Sequence, residues 1–375
     1  LQGGILNTLD RFAAMAATPI LLNLCMITAL IGFSATPQTP GQTPGHILSW
    51  SVALAGVVQF VWLWAALKRE GVSLRFGRPV LSPEIKRLLK LFLPVALGAG
   101  VYQVNLIIDL IIASLLPTGA ISYLYFADRV NQLPLGVVGI AVGTALLPLL
   151  ARQVKGGEIE AAKDSQNRAI GYSMLLTLPA CSALLVLAVP ITVVLFERGA
   201  FTGADASATG HALAAFACGL PAYVLIKVLA PGYFAREDTA TPIKIGIFAM
   251  VVNVALNLLL IGPLAHVGIA LATAIAAWIN AALLGVGLWR RGHFTPDRHL
   301  TLKLIKMAAA ALVMAAALNA AAGYFAGPLS GLQVERFAAL GGLVLGGVIV
   351  YFALAHIFGA ARIDLLWHSR GREME

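Results

Sequence analysis

The chain has 375 residues, 59% of them hydrophobic and 11% charged, with mean hydropathy +0.86 and a net charge of +9. Soluble domains carry about 25% charged residues, so composition excludes a soluble globular protein and predicts an all-α, polytopic membrane protein. Cys25, Cys181 and Cys218 lie in apolar runs without paired spacing and read as small core residues, and the seven histidines form no HxxxH pair. Disulfide frameworks and zinc sites are therefore unsupported.

The chain opens with LQGGILNTLDRF, without Met and without a signal-type apolar core, and reads as a chain missing its beginning. A bilayer span takes about 20 apolar residues. Runs of that kind predict ten spans near 16–36, 47–67, 91–116, 121–149, 169–196, 207–233, 242–262, 265–289, 304–326 and 337–358. LPTGA separates the third from the fourth and GPLAH the seventh from the eighth, turn-rich stretches where one helix stops and the next begins. Pro221 and Pro231-Gly232 predict breaks in the sixth.

Of the 26 basic residues, 22 fall in alternate connections, termini or the span ends beside them, Arg198 and Arg336 fall on the opposite side, and Arg129 and Lys227 fall deeper inside spans. The positive-inside rule then places both ends of the chain in the cytoplasm. The basic excess accounts for the charge without a nucleic-acid partner, and the run from Lys68 to Lys90 reads as a solvated topogenic loop or, alternatively, a contact for anionic membrane lipid.

An internal repeat is visible. ATPILLNL opens the first span at Ala17 and ATPIKIGI the seventh at Ala240, while His46 opens the second and His266 the eighth, at offsets of 223 and 220 residues. Duplicated lobes with a site between them are a common transporter plan. The predicted divisions are 1–67, the last two helices of a first lobe; 68–90, a basic linker; 91–292, a six-helix lobe; and 293–375, two further helices and a tail.

Only two acidic residues, Asp109 and Asp128, lie within spans. Each mid-membrane charge costs about 2.5 to 3.5 kcal/mol against lipid, so Asp109, Asp128, Arg129 and Lys227 are expected to face a cavity or one another. In the fourth span Ser122, Tyr125, Arg129, Gln132, Gly136, Gly139 and Gly143 recur at helical spacing and form one stripe, polar at its outer end and glycine-lined further in. Gly139/Gly143 and Gly342/Gly346 are GxxxG pairs and read as close helix packing. Arg129 offers a planar fork to a phosphate or carboxylate, with an intramembrane salt bridge as the competing reading. Lys227 either snorkels to the interface or supports the cavity. Asp109 with Asn105, Asn253, Asn257, Thr273 and Asn280 supplies oxygens for Na⁺ or a carboxylate for proton exchange, with interhelical amide bonding as the alternative.

Five stretches carry a family resemblance: GGILNTLDRFAAMAATPILLNLCMI, YFADRVNQLPLGVVGIAVGTALLPLLAR, VVLFERGAFT, KVLAPGYFAREDTATPIKIG and LNLLLIGPLAHVGIALATAIAAWINAALL. Together they resemble the MurJ/MviN family of lipid II flippases, in the superfamily of multidrug, oligosaccharidyl-lipid and polysaccharide exporters. The resemblance implies two six-helix lobes followed by two extra helices. This chain would supply the fifth to fourteenth of those helices, and it would not flip lipid alone. It also implies a bacterial inner-membrane transporter, not an enzyme, that moves the polyprenyl-diphosphate-linked peptidoglycan precursor to the outer leaflet in cell-wall synthesis. No organic cofactor is implied, Na⁺ or H⁺ coupling is, and cell-wall synthesis proteins are candidate partners. Arg129 matches the family's cavity arginine, with Asp128, Ser122, Tyr125 and Gln132 beside it and Lys227 in support. Asp109, Asn253, Asn257 and Thr273 match a sodium position. Gln132 stands where some members have Glu, and Asn257 where some have Asp.

Two other functions would need different residues. A related exporter of drugs or polysaccharide intermediates would, for cationic drugs, want an acidic cavity. A membrane enzyme acting on polyprenyl phosphates would want clustered carboxylates or histidines on one face. GGEIEAAKD and ERGAFTGADA do not supply such a cluster.

Overall fold

The computed structural model describes residues 2–9, 11–35, 43–72, 83, 85–86, 100, 103–329 and 331–360. The chain divides into two compact units, residues 1–87 and 88–375. Among the described residues seven helices are long and apolar enough to cross a bilayer. Most of the 68–90 linker lies outside the described residues.

The first unit contains α1 (Gln2–Thr8), α2 (Phe12–Ala16), α3 (Thr18–Ala35) and α4 (Pro44–Arg69). Both long helices begin with proline in the first turn, where its missing N–H removes no intrahelical bond. Their apolar surfaces are open, with Ile20 60% and Trp50 76% exposed, as expected of residues that face lipid. Polar groups tie α4 to α3 and α2: Gln59 Nε2 donates to the Thr18 carbonyl at 2.9 Å and Trp62 Nε1 to the Ala14 carbonyl at 3.0 Å.

The second unit holds α5 (Gln103–Ala113), α6 (Ala120–Lys155), α7 (Ile159–Val186), α8 (Ala188–Phe196) and α9 (Gly203–Phe234), then α10 (Ala240–Arg290), α11 (Arg298–Tyr324), α12 (Ala326–Leu329) and α13 (Gln333–Ile357). α9 is the central element, packed by α6, α7, α8 and α10. Its Leu213, Leu220, Val224 and Val228 are essentially fully buried. α5 joins through Ile112 and Ala113, which close on Ile269 of α10. Gly119, at φ +105°, makes the turn into α6, a conformation that costs glycine little.

The structure corrects several expectations. The fifth span is two helices broken at Leu187. Pro190 lacks the N–H that would bond the Val186 carbonyl, and the helix ends there. The sixth is not broken, because α9 runs through both Pro221 and Pro231. Pro221 frees the carbonyl of Ala217, and the Cys181 thiol of α7 donates to it at 3.1 Å. Cys181 is thus buried as expected, whereas Cys218 is exposed and Cys25 half-buried.

α10 is one helical run of 51 residues with a non-helical residue, Ala265, at φ 48° and ψ −130°. Straight helix would separate Asn253 from Thr273 by about 30 Å, yet their side chains are hydrogen-bonded at 3.2 Å. The run therefore folds back on itself at the GPLAH turn, as two antiparallel arms. A Cβ at Gly268 would lie 2.5 Å from the Leu260 carbonyl oxygen, so this close approach requires glycine. Gly342 and Gly346 of α13 have open space around them, and the helix contact is made by Gly347, against Leu318 of α11.

Candidate transport site

Ser122, Tyr125 and Arg129 are exposed on α6, with Gln132, Gly136 and Gly139 half-buried below them. Ala127 and Val130, on the opposite face, are at most 5% exposed and enter the core. The period of 3.6 residues therefore turns the stripe away from the packed interior of its own unit. Gly143 belongs to a stretch whose side chains lie outside the described residues. The Arg129 guanidinium stacks over the Tyr125 ring, 4.8 Å from its centroid. No carboxylate pairs with it among the described residues. Asp128 instead accepts from Gln132 Nε2 one turn along. That bond satisfies the carboxylate locally and leaves the arginine fork open.

Lys227 is exposed on α9 and crosses to α6. Its Nζ lies where a side chain on Gly139 would stand, 2.8 Å from an ideal Cβ. The glycine thus makes room for a lysine rather than for a helix backbone. Gly139 is ten residues beyond Arg129, about 15 Å along α6. The two cations are stacked at different depths on one face and are not a single cluster.

The third constellation is brought together almost whole. Asp109 of α5 accepts from Asn105 Nδ2 at 3.1 Å and from Asn257 Nδ2 at 2.6 Å. The hydrogen-bond network assigns the Asn253 amide with its oxygen toward Thr273. That oxygen accepts from Thr273 N and Oγ1, both at 3.2 Å, while the nitrogen donates to Asp109 Oδ1 at 3.0 Å. Asn253 and Asn257 are at most 2% exposed, and Asn257 Oδ1 is enclosed without a hydrogen-bond partner among the described residues. Asn280 makes no bond to this group among the described residues; it lies seven residues past Thr273, about 10 Å along the helix.

Two arrangements were not anticipated from sequence. Tyr123, next to the stripe, donates to Asp205 Oδ1 at 2.5 Å, and its ring lies 5.4 Å from that of His266. Asp205 also accepts from Thr202 N, closing the capping box of α9. TxxD before a helix was the available signal. At the other end of the bundle Asp238 accepts from Thr241 N and Oγ1 and from Arg291 Nη1, at 3.0, 2.7 and 2.6 Å. These bonds, with the Arg291 charge, hold its carboxyl down at about 2. No group of three or more His, Cys, Asp or Glu side chains able to hold a metal occurs among the described residues.

Comparison with known proteins identifies the family. The family model "Lipid II flippase MurJ" matches residues 1–334. The chain belongs to the MurJ family. It is 44% identical over 371 residues to the probable lipid II flippase MurJ of Rhizobium meliloti, covering 98% of this chain and 69% of that protein. Against the probable lipid II flippase MurJ of Vibrio cholerae it is 38% identical over 97% of the chain and 69% of the relative. The solved structure of lipid II flippase MurJ in an inward closed conformation superposes with TM-score 0.75 at 24% identity, covering 95% of this chain and 70% of that one. That likeness establishes the fold. MurJ proteins are multi-span membrane transporters rather than enzymes, and the all-helical architecture agrees.

Proposed function

We propose that the chain acts in moving lipid II, the diphosphate-linked peptidoglycan precursor, from the inner to the outer leaflet of the bacterial inner membrane, with both of its ends cytoplasmic. The diphosphate and sugar cannot enter hydrocarbon without losing their hydration. The observation that carries the reading is Arg129: exposed, turned away from its own unit's core, stacked on Tyr125 and unpaired by any described carboxylate. A guanidinium so placed offers two parallel N–H donors to a phosphate at low local dielectric. Ser122 and Gln132 flank it, Asp128 orients Gln132, and Lys227 provides a second positive level deeper on the same face. The membership in the MurJ family supports the substrate.

The Asp109 cluster is assigned to ion coupling. A sodium ion needs oxygen ligands, and here the carboxylate receives amide N–H groups while Asn257 Oδ1 has no partner. The residue types fit a cation once the Asn253 and Asn257 amides turn their oxygens inward. Asp109, Asn253, Asn257 and Thr273 would hold it, and the ion would neutralise the buried carboxylate.

The test is flipping of a fluorescent lipid II analogue in proteoliposomes. The protein is used as this chain and as a chimera with the portion of the Rhizobium meliloti relative outside the alignment. Arg129→Ala is expected to lose at least ten-fold in rate, Arg129→Lys less. An Arg129→Ala chimera at the parent rate overturns the assignment.

A further inference from the structure

A group of basic side chains lies at the end of the bundle where α9 and α10 finish, well beyond the Arg129 stripe. Arg236 follows α9 and is half-buried; its Nη1 donates to the Gly232 carbonyl at 2.7 Å, but Nη2 is enclosed without an acceptor among the described residues. His293, in the loop after α10, is close enough to Arg236, Arg291 and Lys163 to feel all three charges. Burial first, then those charges, lower its pKa. The loop is pinned to α7 by Asn167, 6% exposed, whose Nδ2 donates to the Thr295 carbonyl at 2.9 Å. Leu288, in the last turns of α10, and Gln166 of α7 both close against Gly232. Three elements therefore converge on this spot and hold its cations together.

Two of the neighbouring carboxylates are already engaged. Asp238 is saturated by Thr241 and Arg291. Glu160, 83% exposed, is engaged by Lys163. No described carboxylate forms an ion pair with Arg236, and a half-buried guanidinium with a vacant donor calls for an anionic acceptor. Trp289, 58% exposed in the last turn of α10, marks this level as the membrane–water boundary, where indole rings collect. We propose that Arg236 and His293, with Lys163 and Arg291 at the rim, form a site for a phosphate-bearing anion. Its two possible sources share that chemistry: the headgroup of an anionic membrane lipid, or free phosphate.

The experiment is thermal unfolding of the full chain in neutral detergent at constant ionic strength. Dioleoylphosphatidylglycerol, dioleoylphosphatidylcholine or inorganic phosphate is titrated in. Parent protein and an Arg290→Gln control are expected to gain in midpoint with phosphatidylglycerol and much less with phosphatidylcholine. Arg236→Gln and His293→Gln are expected to lose at least half of that gain. An equal, Arg236-dependent gain with inorganic phosphate identifies free phosphate as sufficient, and a gain with phosphatidylglycerol alone identifies the lipid headgroup. If neither anion raises the midpoint, or if both variants keep the full gain, the site does not exist. Should Arg236→Gln fail to fold, His293→Gln, in a loop position, decides alone.

Discussion

The Lys227 ammonium occupies the notch left by Gly139: a Cβ there would stand 2.8 Å from Nζ and 3.0 Å from Cδ. The colliding atoms belong to the free end of a flexible side chain. Gly139→Ala is therefore expected to fold with little loss, under about 1 kcal/mol, because the lysine swings aside. Gly139→Val should expel it, and Lys227 should then acetylate faster with an amine-reactive probe, read by peptide mass spectrometry. Unchanged labelling in Gly139→Val would show that Lys227 does not rest in the notch.

Asn257 is fully buried and donates to Asp109 at 2.6 Å. Asn257→Ala removes that donor and leaves a cavity, an expected loss of about 1–3 kcal/mol. Asn257→Asp places a second carboxylate against the first, and two such charges demand a cation or a proton between them. The midpoint of Asn257→Asp should rise on replacing K⁺ with Na⁺ by more than that of the parent. Equal responses in both proteins would sever these residues from any sodium site.

Cys181 performs a specific repair. Its thiol supplies a donor for the Ala217 carbonyl, which Pro221 leaves without an amide. Cys181→Ser keeps a donor and is expected to cost less than Cys181→Val, which leaves that buried carbonyl unsatisfied at about 1–3 kcal/mol. Pro221→Ala, which restores the helical amide, should shrink the difference between them. A double-mutant cycle on thermal midpoints measures this coupling.

Asp238 sets an acid limit. Its carboxyl is held at about 2, against an ordinary 3.8, first by the Thr241 hydroxyl and also by the Thr241 N–H and Arg291. A folded pKa below the unfolded one stabilises at pH above the unfolded value and ceases to do so as pH falls through the folded one. The parent should therefore lose stability between about pH 4 and pH 2, in part through this group. Asp238→Asn should start lower at pH 7 and show a flatter acid limb; an identical limb would assign the acid loss elsewhere.

Much of this was readable from residue order. The α6 stripe follows from helical spacing alone, because any period-3.6 set of polar residues in an apolar helix must turn to one side. The Asp109 cluster followed from the cost of a charge in hydrocarbon, which forces a carboxylate to find amides on neighbouring helices. Proline was the weak signal. Pro190 ended a helix while Pro221 and Pro231 did not. The repair of the carbonyl freed by Pro221 lies in Cys181, 40 residues earlier in the chain and on another helix. The GxxxG at Gly342 and Gly346 misled for a related reason: the motif permits close approach, but which face meets a neighbour depends on how α13 is rotated. The Tyr123–Asp205 and Asp238–Arg291 bonds join residues 82 and 53 apart, and no local pattern encodes such distances.

The reversal at Ala265 has a mechanical consequence. Asn257 lies eight residues before it and Thr273 eight residues after it, on opposing arms. Asp109 grips the first arm, and Asn253 bridges both. Any spreading of the two arms would break the Asn253–Thr273 bonds before it disturbed the apolar seam beside Gly268, while Asp109 stayed with the first arm through Asn253 and Asn257. The cluster is thus built like a strain gauge, converting the angle of one hairpin into the number of hydrogen bonds on the one amide that also holds Asp109.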